Sequence, residues 1–89
     1  MKRPKEKEAA IKRSGLVGIL AVDVPASRQR IAALLAEYEG LIVGRAELPC
    51  PEEGMALTCV SIRTTTDDLG AFTGKLGLIE GVKVKSIVL

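Results

Sequence analysis

The side chains weighed first for covalent and acid–base chemistry are Cys50, Cys59, Ser14, Ser27, Ser61, Ser86 and the acidic pairs Glu52 with Glu53 and Asp67 with Asp68; histidine is absent. A serine needs a neighbouring base to become a nucleophile, and without imidazole no nucleophile–base pair can be named. The acidic pairs have simpler roles, one in a solvated turn and the other in the first turn of a helix. No catalytic residue is assigned, and the chain is not expected to be an enzyme. A nickel-type metal site would lack its imidazole ligands. Cys50 falls in a turn and Cys59 partway along the strand that follows, too far apart at ~3.3 Å per residue to share one ion within a subunit. Cys59 reads as a core or interface residue, and Cys50, between Pro49 and Pro51, as an exposed thiol. The glycine-rich run GAFTGKLG lacks the GxxxxGK spacing of a phosphate-binding loop, and its Lys75 lies inside a helix rather than at its start. No metal and no cofactor is expected.

The elements that would position these residues read most clearly over residues 64–86. Thr66 can cap a helix with its hydroxyl, and Asp67 and Asp68 place negative charge in its first turn, where the exposed amides and the dipole favour it. Leu69, Phe72 and Leu76 recur at i, i+3 and i+7 as a buried stripe, and Gly77 is placed to end the helix in a left-handed turn. Val82 and Val84 then alternate with Lys83 and Lys85, the period of a half-buried strand with its lysines turned away from the apolar face. Gly70 and Gly74 each cost about 0.8–1 kcal/mol relative to alanine in a helix interior. Close packing of helix backbone on the sheet or the other helix would offset that cost; a surface that a partner subunit or small ligand approaches is the other reading.

Earlier in the chain, residues 15–23 form a continuous apolar run suited to a central strand. Pro25 can start the next helix, Ile31, Leu34, Leu35 and Tyr38 stripe it, and Gly40 ends it. Residues 41–48 and 55–64 are β-leaning runs joined by PCPEEG, whose prolines and glycine belong in a turn. The order is βαββαβ: an α+β, ferredoxin-like sandwich with a four-stranded antiparallel sheet and two helices on one face. If Val17 and Ile19 face the helices, Leu16 and Leu20 face away, and Val60 and Ile62 oppose Leu57 and Cys59 in the same manner. Leu16, Leu20, Leu57 and Cys59 therefore mark an open apolar sheet face, and with it a homodimer or higher homo-oligomer.

The run GAFTGKLGLIEGVKVKS, with Val43, Gly44 and Arg45 and the preceding Thr65, Thr66 and Asp67, resembles the family of iron-only hydrogenase system regulators. The resemblance spans roughly residues 15–89. It implies an ACT-like regulatory domain, related in fold to the C-terminal domain of the nickel-responsive repressor, and a role as a transcriptional regulator in a hydrogenase system.

Composition bounds the chain to one small domain. An 89-residue chain that is 47% hydrophobic makes one domain, of a size that is marginal as a monomer. Tyr38 and Phe72 are its aromatic residues, so base stacking is poorly supplied. Residues 1–14 carry Lys2, Arg3, Lys5, Lys7, Lys12 and Arg13 interleaved with Glu6 and Glu8 and read as a flexible basic arm, neither signal peptide nor DNA-binding module. No run approaches a spanning helix, and a cytoplasmic location is expected. The expected function is a regulatory or ligand-sensing domain with no membrane partner, its small effector held near residues 23–26 or the glycine-marked helix. Asp23, Val24, Pro25, Gly70, Gly74 and Lys75 are the candidate residues. The alternative is a protein-interaction or scaffold module without a metabolite, or one that touches DNA weakly through the arm; sequence-specific nucleic-acid binding is not expected of this chain alone.

Overall fold

Alternation in the first strand sets the two sides of the molecule. In β1 (Arg13–Val22), Val17, Ile19 and Ala21 are buried, while Leu16 is exposed and Leu20 half-buried. The structure, a computed structural model, describes residues 11–89. Expectations for residues 1–10 of the arm lie outside the described residues. Strand β1 begins two residues before the apolar run, because Arg13 and Ser14 still pair with Thr64 and Arg63, and the Leu89 amide donates to the Ser14 carbonyl at 2.9 Å.

The remaining elements are α1 (Pro25–Glu37), a short 3-10 turn (Glu39–Leu41), β2 (Ile42–Leu48), β3 (Met55–Thr64), α2 (Thr66–Gly77) and β4 (Val82–Val88). The sheet order is β2-β3-β1-β4 with every neighbour antiparallel, so the long central strands β1 and β3 are paired on both edges. Both helices lie on one face, over a core of Val17, Ile19, Val60, Ile62, Leu35, Leu69, Phe72 and Leu76. Phe72 and Leu76 are fully buried, and Leu35 is the buried member of the α1 stripe, with Ile31, Leu34 and Tyr38 packed half-buried against the core. No helix among the described residues is long and apolar enough to cross a membrane.

Four local expectations are corrected. The cap of α2 is Thr65, whose Oγ1 accepts from the Asp68 amide at 3.2 Å; Thr66 is already helical. Gly77 does not turn left-handed, because Leu78 continues in right-handed helical geometry. The left-handed glycine is Gly81 (φ +77°), where the chain reverses into β4 and an added Cβ would meet Val22 Cγ2 at 2.6 Å. Helix α1 stops at Glu37, before Gly40, and tightens into the 3-10 turn. Gly70 and Gly74 are not sites of close backbone packing: a Cβ built on either meets nothing within 4 Å, since both lie on the solvent side of α2.

Candidate functional site

The inner side of β2 explains where the molecule leaves room. Its residues facing the helix layer are Arg45 and Glu47, opposite Val60 and Thr58 of β3, and both are exposed. Charged side chains there give no apolar surface for a helix to bury, while α2 packs beside β4 and α1 packs against α2. The result is an open cavity of about 600 Å³ between α1 and the β2–β3 hairpin. Ile19, Ala21, Ile31 and Leu35 supply an apolar floor, and Asp23, Arg28, Arg45, Glu47, Cys50 and Thr58 supply polar atoms around it. Cavities of this size and mixed lining accommodate small organic ligands, the apolar wall giving affinity and the few polar groups orientation.

The cavity mouth is held by backbone. The Asp23 amide donates to the Gly54 carbonyl at 2.8 Å, tying the hairpin turn to the start of α1, and Gly54 takes φ +76° to make that turn. The Asp23 carboxylate accepts from Arg28 Nη1 at 2.6 Å, with both side chains about half exposed. An exposed pair of this kind contributes at most about 1 kcal/mol. Its effect at the mouth is to occupy Arg28 and Asp23 with each other; the other two charged residues of the cavity lining, Arg45 and Glu47, form no ion pair with another described residue.

The sequence-derived candidates fall in separate places. Asp23 lines the cavity, whereas Val24 and Pro25 are exposed at the first turn of α1 beside it. Gly70, Gly74 and Lys75 lie on α2, away from the cavity. Lys75 is engaged within the fold: Nζ donates to Glu37 Oε2 at 3.1 Å and sits 5.1 Å from the centre of the Tyr38 ring, joining α2 to the end of α1. The Tyr38 side chain first, and Glu37 next, favour the ammonium and raise the Lys75 pKa above the ordinary lysine value. Cys50 is half-buried rather than fully exposed, and among the described residues no cluster of three or more His, Cys, Asp or Glu is placed to hold a metal ion. Sequence reasoning missed Arg28, Arg45, Glu47 and Thr58. The signal for the β2 pair was present as charged residues alternating on a strand, but only the packing of α1 turns that alternation into a cavity wall.

Leu16, Leu20, Leu57 and Cys59 share the sheet face that no helix among the described residues covers. Register places them in rows, Leu20 beside Leu57 and Leu48, Gly18 beside Cys59 and Ala46, Leu16 beside Ser61 and Gly44. Lys83, Lys85 and Ile87 of β4 continue the three rows at the edge.

A model for the TM1266-like family, described as "Iron-only hydrogenase system regulator, putative", matches residues 13–86. The uncharacterized protein TM1266 from Thermotoga maritima is 35% identical, with 88% of this chain and 98% of that chain covered and a TM-score of 0.83. The ACT domain of GTP pyrophosphokinase from Chlorobium tepidum aligns at 18% identity over 85% of this chain and 99% of that one, TM-score 0.72. The C-terminal domain of the MgtC protein from Mycobacterium tuberculosis aligns at 17% identity over 92% and 90%, TM-score 0.66. The last two likenesses are of fold alone, and the likeness to the ACT domain makes the architecture ACT-like as well as ferredoxin-like. No curated protein matches the chain.

Proposed function

Because this chain belongs to the TM1266-like family of iron-only hydrogenase system regulators, we propose that it is a non-catalytic, cytoplasmic regulatory domain that senses a small effector and self-associates through its open sheet face. The cavity of about 600 Å³ between α1 and the hairpin carries the sensing part of the reading. Its apolar floor and four charged side chains suit a small organic molecule with both apolar and polar parts. The same lining offers no nucleophile paired with a base, which supports a binding role rather than a reaction.

Thermal shift measures this directly, since a ligand that binds only the folded state raises stability by about 2.7 kcal/mol at a hundredfold excess over its Kd. A panel of small metabolites is screened against the wild-type chain and against Ala32→Trp, which places an indole at an α1 position that also lines the cavity. At least one compound should raise the melting temperature of the wild type and leave the Ala32→Trp variant unmoved. No shift at millimolar concentration, or an equal shift in both proteins, refutes the sensing reading. The apolar face, which no other element among the described residues covers, favours a second reading, a protein-interaction module without a metabolite; it predicts no shift from any compound together with retained self-association or capture of a purified partner.

A further inference from the structure

Charge is distributed unevenly over the open sheet face. Its central rows are apolar or small, Leu20, Leu57 and Leu48 in one and Gly18, Cys59 and Ala46 in the next, and both end on the β4 edge in lysines, Lys83 and Lys85. Among the described residues no acidic side chain lies on this face. On the opposite edge Glu47 of β2 is turned to the helix side, and the exposed Glu52 and Glu53 stand in the turn that follows Leu48, at the same end of the sheet as Lys83. Strand spacing and rise make the face a plane of roughly 550 Å², and its side-chain relief raises the accessible area toward the ~800 Å² per partner of a standard stable interface.

We infer that the face is covered by a second copy of this chain, related by a two-fold axis running along the strands, so that each β4 edge crosses the partner's β2 edge. The inference rests on the self-association proposed above and specifies its geometry. A two-fold face-to-face pair of sheets has two simple choices. With the axis across the strands, β4 lies over β4 and Lys85 faces the partner's Lys85, two like charges drawn into a contact that desolvates them. With the axis along the strands, β1 lies over the partner's β3, and Lys83 comes over the partner's Leu48, beside the acidic turn of the partner's Glu52 and the partner's Glu53. Lysine stems can cover the apolar edge while their ammonium groups reach those carboxylates. The same choice sets Cys59 of each copy over the partner's Gly18, a side chain against none, and Leu20 over the partner's Leu57.

Sedimentation equilibrium of the full chain, with variants, tests both the face and its geometry. Gly18→Val tests the face, because a Cβ there meets nothing nearer than the Lys85 carbonyl oxygen at 3.9 Å, an ordinary contact, and the monomer fold is expected to hold. Wild type should dimerise, and Gly18→Val should keep the wild-type circular dichroism spectrum while its dimer Kd rises at least tenfold. Lys83→Glu should also weaken the dimer about tenfold, since each dimer holds two such contacts turned from attraction to repulsion. Adding Glu52→Lys and Glu53→Lys to Lys83→Glu should restore the Kd to within about threefold of wild type. A Lys83→Glu variant that tightens the dimer, or a charge swap that fails to rescue it, overturns the strand-parallel geometry while leaving the face in use. A monomeric wild type, or a Gly18→Val dimer of unchanged Kd, overturns the self-association on which it rests.

Discussion

Replacing Gly70 and Gly74 together by alanine should stabilise this domain, although glycines one turn apart in a helix invite the opposite expectation. Each glycine in a helix interior is less favourable than alanine by about 0.8–1 kcal/mol, mainly through the backbone freedom it loses on folding. That gain is cancelled only if the new methyl group collides with something. A Cβ at either position has no neighbour within 4 Å beyond the helix's own backbone. The two sites are one turn apart and share no contact partner, so the effects should add to roughly 1.6–2 kcal/mol. For a domain of this size about 1 kcal/mol moves the melting temperature by 4–8 °C, which makes the expected rise roughly 6–16 °C. The assay is a reversible thermal melt followed by circular dichroism at a protein concentration low enough to dissociate any oligomer, beside sedimentation at higher concentration. Self-association should be unchanged, because α2 lies on the opposite side of the sheet from the open face. A double variant that melts at or below the wild-type temperature would refute the reasoning, since it would mean that the bare backbone of α2 is in a contact that a methyl group cannot share.

Gly81→Ala should destabilise the fold by roughly 2–4 kcal/mol, because a left-handed φ costs about 1–2 kcal/mol for an L-residue and the methyl group would press into Val22; a change in melting temperature within error would contradict this. Lys75→Met should lower the melting temperature by the same amount at pH 7 and pH 9. A lysine with a raised folded pKa contributes its full stability below the unfolded value and loses it only as pH climbs through the folded one, so the gap between variant and wild type should close only at strongly alkaline pH. A gap that closes between pH 7 and pH 9 would show that the contact with Tyr38 and Glu37 is not what holds the proton.

Local chemistry made much of this protein readable from residue order. The alternation in β1, the prolines and glycine of PCPEEG, and the i, i+3, i+7 stripe of Leu69, Phe72 and Leu76 each act within a few residues, and they determine strand, turn and helix before any long-range contact forms. The same locality explains the small errors. Thr65 and Thr66 are equivalent caps until the first helical hydrogen bond chooses between them, and Gly77 and Gly81 are equivalent places for a left-handed turn until the chain must swing past Val22 into β4. Two faces of one strand also follow from its period, which is why Leu16, Leu20, Leu57 and Cys59 were legible as a set. Tertiary structure alone decided that Lys75 meets Glu37 across 38 residues of sequence, and that Arg45 and Glu47 border a cavity with Arg28. Those contacts depend on where α1 settles on the sheet, and that position is set by which apolar surfaces can be buried at once, a property of the whole core rather than of any window of the chain.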